Sequence, residues 1–222
     1  NITGTLPAIS AANLTNVPAA NITGTLPALS AASLTQIPAA NIVGVATAGF
    51  ERTGGFGGIT LLDMYHQTAN ASAGNDTELT LDSNFVRSTA FDSGASFSPI
   101  GAAVTKTGDV FSFPSTGYYE ILFHCQFTCL GYDSARYHHT DILYTVDNSN
   151  YNVLNRTRGQ SIEYPTNLGN RFSFGEAVAI FDVTNISTHK VKFQVNHDSP
   201  YEVKGSTDEL ITYVIFKKLA ET

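Results

Sequence analysis

Large aliphatic residues recur at fixed intervals through the first forty positions: Ile2, Leu6, Ile9, Leu14 and Val17, then Ile22, Leu26, Leu29, Leu34 and Ile37. Residues 1–20, NITGTLPAISAANLTNVPAA, return as residues 21–40, NITGTLPALSAASLTQIPAA, with four mild substitutions, and a third copy begins at Asn41 as NIVGVATA before decaying. A fixed period of this length marks a repeat architecture. Pro7, Pro18, Pro27 and Pro38 exclude a long helix and hence a coiled coil. The absence of glycine at every third position excludes collagen. What remains is short extended pieces, LTNV and LTQI, joined by turns at PA. One helical turn at PALSAAS is equally compatible with the spacing. Five aliphatics per copy recover roughly 1.5–3 kcal/mol each when fully buried. Ordering a 20-residue copy costs about 1–2 kcal/mol per residue. A copy cannot order itself alone; several chains wound around a common axis can, because each aliphatic then faces partners.

From Ile59 onward the pattern changes to β. Apolar and polar positions alternate in segments rich in Val, Ile, Phe, Tyr and Thr, separated by Gly, Asn, Asp, Ser and Pro clusters. The candidate strands are ITLLDMYHQ, TELTLD, GAAVTK, DVFSFP, YYEILFHCQFTCL, TDILYTVD, YNVLNRTR, FSFGEAVAIFDV, HKVKFQVN and ELITYVIFKKL. About ten strands without an amphipathic helix predict a two-sheet jelly roll. In YYEILFHCQFTCL, Tyr119, Ile121, Phe123, Cys125, Phe127 and Cys129 share one apolar face, as a sandwich interior requires. The opposite face holds Glu120, His124, Gln126 and Thr128, but also Tyr118 and Leu122, which suits a subunit interface. The chain therefore divides into a repeat stalk (1–46), a Gly-rich neck (47–58) and a head (59–222).

Composition narrows the function. The 222 residues carry 12 Lys and Arg against 19 Asp and Glu, a formal charge of −7. No nucleic-acid partner is expected of such a chain, since duplex affinity comes mostly from cations on phosphates. No run of about 18 apolar residues is present, so no membrane insertion is expected. The N-terminus begins in mid-repeat without a signal-peptide pattern, which predicts a fragment of a longer chain. Cys125 and Cys129 lie four apart in one predicted strand, about 13 Å between Cα atoms. That exceeds disulfide reach, so two buried thiols are expected. There is no HExxH or GxSxG motif, and His124 and Cys125 would point to opposite faces of a strand. No catalysis is expected. No cofactor is expected either, with calcium in loop carboxylates or an ion on an assembly axis at His124 as the alternatives.

GDVFSFPSTGYYEILFHCQF (108–127) resembles the edge-to-core segment of the tumour necrosis factor and complement globular-head superfamily, and ITYVIFKKL (211–219) resembles its closing strand. The likeness covers roughly residues 59–222 and implies a ten-strand jelly roll in a tight trimer, with aromatic residues along the threefold axis. The repeats, together with DVTNISTHKVKFQV (182–195) and TVDNSNYNV (145–153), are similar to bacteriophage tail fibres, especially those of marine cyanobacteria. The resemblance implies an all-β homotrimeric fibre in the virion tail, extracellular, that attaches to a host surface glycan or protein. Other tail or virion proteins would be partners through the missing N-terminal part. The alternatives are a structural appendage or extracellular filament, and a polysaccharide-degrading fibre tip.

In that superfamily the C-terminus ends at the base. Counting antiparallel strands back from it puts the turns at 114–117, 147–150 and 183–189 at the base. The connections at 130–138, 160–170 and 196–207 then fall at the apex. These hold the expected ligand-binding residues Tyr132, Asp133, Arg136, Tyr137, Tyr164, Asn167, Asn170, His197, Asp198, Tyr201 and Lys204. Tyrosines there offer flat faces with a polar handle, and Asn and Asp offer paired hydrogen bonds to hydroxyls.

Overall fold

A computed structural model describes residues 59–91, 94–129, 137–160 and 171–222. The repeat stalk and the neck lie outside the described residues. So do the expected site residues Tyr132, Asp133, Arg136, Tyr164, Asn167 and Asn170.

The described residues form thirteen strands: β1 (Leu62–Gln67), β2 (Ala71–Ala73), β3 (Leu79–Thr80), β4 (Phe85–Arg87), β5 (Thr105–Thr107), β6 (Val110–Ser112), β7 (Gly117–Cys129), β8 (His138–Thr145), β9 (Asn152–Gly159), β10 (Arg171–Val183), β11 (Lys190–His197), β12 (Tyr201–Val203) and β13 (Tyr213–Ala220). All pairings are antiparallel. One sheet runs β2-β12-β7-β13-β1-β4 with β10 on the other edge of β7; the second runs β5-β6-β11-β8-β9 with β3 on β11. This is the all-β, two-sheet jelly roll the alternation predicts.

The differences are local. Ten strands were expected; β2, β4 and β12 are three residues each, too short to show alternation in the sequence. TELTLD contracts to β3 and GAAVTK to β5, the latter because Gly101 takes φ of 71° and breaks the extended run. The connection expected over 196–207 is not one loop: β11 continues to His197, and β12 follows after a short turn.

The core lies between the sheets. On β7 the odd positions Tyr119, Ile121, Phe123, Cys125 and Phe127 are completely buried, and they meet Val191, Phe193 and Val195 of β11 with Phe111 of β6 and Val214 and Phe216 of β13. Phe193 sits at the centre, its ring 5.0 Å from Phe123 and 5.1 Å from Phe111, inclined at 54° and 74°. Inclined rings put the positive edge of one on the negative face of another, adding to simple area burial. Of the two cysteines expected to be buried, Cys125 is, whereas Cys129 at the end of β7 is half-buried. Burial pushes the Cys125 thiol far above its usual range, which makes it inert.

Register fixes the two ends of the sandwich. Gly117 of β7 pairs with Val183 of β10, and Ala220 of β13 pairs with Tyr118. Thus the C-terminal strand finishes beside the turn before β7 and the turn after β10. At the other end Cys129 pairs with Arg171 and Tyr201, and His138 pairs with Gly159 and His197. Contact between Phe127 and His138, 4.8 Å between rings, brings these strand ends of the two sheets together. Cys129 closes β7, His138 opens β8, Gly159 closes β9 and Arg171 opens β10 at this end.

Candidate functional site

The end where Cys129, His138, Gly159 and Arg171 lie was expected to be the apex. Four of the expected site residues there are described together with Tyr137, and they separate. His197 and Tyr201 are fully buried, which corrects their placement as surface ligand contacts. Their alternation explains it: β11 points odd residues inward, and β12 does the same with Tyr201 and Val203. The Tyr201 hydroxyl donates to the Thr77 carbonyl at 2.8 Å, so its polar end is satisfied inside the fold. Asp198 is nearly buried, its backbone N–H bonded to the Tyr137 carbonyl at 3.1 Å. Lys204 lies on the other sheet, its ammonium 2.7 Å from Glu202 and its N–H on the Gln126 carbonyl.

His197 belongs to a buried aromatic group with His138. The two imidazoles stack with centroids 5.9 Å apart, flanked by Phe127 and Tyr201. His138 Nε2–H donates to the Phe174 carbonyl at 3.0 Å, and His197 Nδ1 accepts the Ser199 N–H at 3.1 Å. Burial depresses the pKa of both rings, and a neighbouring imidazole, His139 beside His138 and His138 beside His197, lowers each further.

Tyr137 stays at the surface, 43% exposed, its hydroxyl donating to Asp76 Oδ1 at 3.2 Å. The structure gathers around it three residues that the sequence reading passed over. His139 is opposite Arg158, and Asp141 opposite Arg156, across the β8–β9 pair. Odd positions of β8 and even positions of β9 therefore share the outer face of the second sheet. Tyr137, His139, Arg156 and Arg158 line a hollow of about 430 Å³ at the loop end. Two of these residues, Arg156 and His139, bond to Asp141, which is wholly buried. Arg156 grips this carboxylate with Nε at 2.8 Å and Nη2 at 2.5 Å, and His139 Nδ1–H adds a third bond at 3.1 Å. Burial alone would push the Asp141 carboxyl up, but these donors outweigh it and hold it below the usual carboxylate range. The same contact raises the Arg156 pKa further. Arg158 is exposed and makes no ion pair among the described residues. The legible signal was NRTR: two arginines two apart on a strand must share a face.

The first sheet has a different outer face. Phe174 is 69% exposed, Phe172 57% and Ile180 53%; Val178 and Tyr118 are exposed beside them. Even positions of β10 and β7 point outward together, so these form one apolar surface continuous with Leu122 and, through β13, Ile215 and Tyr213. His124 is part of it, stacked between Phe174 at 5.8 Å and Tyr213 at 5.1 Å, with Glu176 3.6 Å from Nδ1. No group of three or more His, Cys, Asp or Glu side chains suited to a metal ion occurs among the described residues.

No protein-family model matches the chain, and no curated protein matches it. Among solved structures it is similar to murine APRIL, crystallised at pH 8.0, at 11% identity over 72% of this chain and 98% of that one, with a TM-score of 0.48. It is similar also to Eiger TNF from S. frugiperda, at 13% identity over 74% of this chain and 95% of that one, with a TM-score of 0.48.

Proposed function

We propose that the chain is the distal part of a homotrimeric viral tail fibre whose head attaches to a host cell surface through the loop end of the sandwich. The observation that carries this reading is the apolar outer face of β10, β7 and β13. A contiguous exposed surface bearing Phe172, Phe174, Val178, Ile180 and Tyr118 is an association surface rather than a solvated one. Its occupant is a second copy of the same chain. The repeat, with too few aliphatics per copy to order alone, calls for neighbours of the same kind. Assembly through the first sheet leaves the second sheet's outer face and the loop end to solvent, where recognition residues belong. The head acts by binding, without a chemical step.

The test joins assembly to adhesion. Light scattering of the purified chain is expected to give three chains per particle. Phe174→Glu places three like charges against apolar partners and is expected to yield single folded heads. The wild-type trimer is expected to coat susceptible cells and to block virus adsorption; the Phe174→Glu monomer loses that competition at least tenfold through lost avidity. A well-folded monomer for the wild type, or cells that ignore the trimer, would refute the proposal.

A further inference from the structure

The hollow on the second sheet has a chemistry narrower than general adhesion. The Arg156 guanidinium is held rigidly by Asp141 through Nε and one Nη, which leaves its remaining N–H groups directed without further ordering. Arg158, two residues along the same strand face, offers its whole donor fork. The Tyr137 ring is pinned by its hydroxyl bond to Asp76, presenting a fixed flat face beside the guanidinium groups.

We propose that this hollow binds an acidic sugar unit, a saccharide ring carrying one carboxylate, sulfate or phosphate. The inference rests on the host-attachment reading and names the ligand class for it. The anionic group pairs with the Arg158 fork, the ring stacks on Tyr137, and ring hydroxyls bond to Arg156. The volume of about 430 Å³ lies within the range of small-molecule sites. The acids flanking Tyr137, Asp76 and Asp198, oppose a densely charged polyanion and favour a single negative group. Nucleic acid is disfavoured for the same reason.

The test uses the full chain and measures binding to sialyllactose and mannose 6-phosphate, with lactose and mannose as their neutral counterparts. At least one acidic saccharide is expected to bind tenfold or more tightly than its neutral counterpart, and the binding weakens as salt rises. Arg158→Ala is expected to reduce that affinity by about tenfold or more, equivalent to about 1.4 kcal/mol. Arg158→Lys, which keeps charge but loses the fork, restores part of it. Tyr137→Ala, also at an exposed position, weakens acidic and neutral saccharides alike. Neutral saccharides binding as well as acidic ones, an unchanged affinity in Arg158→Ala, or no acidic saccharide binding at all would each overturn the inference. Whole-cell adsorption separates the two levels. Wild type and Arg158→Ala adsorbing equally well overturns the acidic-sugar site and leaves host attachment standing, whereas neither adsorbing overturns the attachment reading itself.

Discussion

Acid should loosen this head well above the pH at which carboxylates titrate, and the histidines inside it give the reason. His66, His138 and His197 are 2%, 1% and 0% exposed, and burial depresses the pKa of each. His66 is tied to Ser88 Oγ at 2.7 Å and packed on Phe91; the other two stack on each other. In the unfolded chain these rings take up protons near the ordinary histidine pKa of about 6.5. In the fold they resist. Between the depressed and ordinary values the unfolded state therefore holds more protons, and stability falls as pH falls. Each such ring adds a slope of at most about 1.4 kcal/mol per pH unit, so the three together reach at most about 4 kcal/mol per unit. For a domain of this size each kcal/mol moves the melting temperature by about 2–4 °C. Asp63 works in the opposite sense, because burial raises its carboxyl pKa despite Arg87 3.1 Å away. Asp141 follows the histidines in sign, but only as pH falls below the ordinary carboxylate range. The ordinary histidine pKa falls between pH 7 and 5, so the imidazoles carry the loss in that window, with Asp63 opposing it. Thermal melts at fixed protein concentration across that window should show a drop of several degrees per pH unit. In His138→Phe combined with His197→Phe, the slope should fall by about two thirds while the fold persists. A melting temperature that is flat or rising toward pH 5 would refute the reasoning, as would an unchanged slope in the double variant.

Phe193→Ala removes the ring at the centre of the aromatic core and should cost about 3–5 kcal/mol, read as a shift in denaturant midpoint without loss of the fold's β spectrum. Gly117 opens β7 with φ of 140°, and a Cβ there would lie 2.5 Å from the Ala220 carbonyl oxygen. Gly117→Ala should therefore destabilise by more than about 1 kcal/mol in the same assay, and an unaltered midpoint would show that the closing strand can yield.

How much of this was legible in the sequence depended on strand length. β7 and β10, at 13 residues each, show their alternation plainly, and the inner face of β7 is the one the pattern selects. The three-residue strands carry no period, so β12 was read as loop and Tyr201 as surface. Tyrosine itself misled: its hydroxyl permits a wet position but does not require one, and here a backbone carbonyl replaces water. His197 was misread for the same reason, since its polarity is satisfied by Ser199 and its neighbouring rings. The hollow was harder to foresee because it depends on register across two strands. HHTD and NRTR each show a polar face, but only the pairing of Asp141 with Arg156 reveals which of the two guanidiniums has a carboxylate partner among the described residues.

The two outer faces of the sandwich divide the work by composition alone. The first sheet exposes phenylalanine and isoleucine outward from β10 where a solvated strand would carry Lys or Thr. The second exposes arginine and tyrosine at its loop end. An apolar face gains from burial against another protein and has little to offer a hydroxyl-rich ligand. A guanidinium and phenol face loses by dehydration unless the partner supplies matched acceptors. In the proposed trimer the first face is consumed by self-association, and three copies of the second point away from the axis at the same end. Weak single-site binding then becomes strong attachment, because the second and third contacts form at high local concentration. A surface displaying acidic sugars densely should accordingly hold the trimer far longer than one displaying the same sugars sparsely.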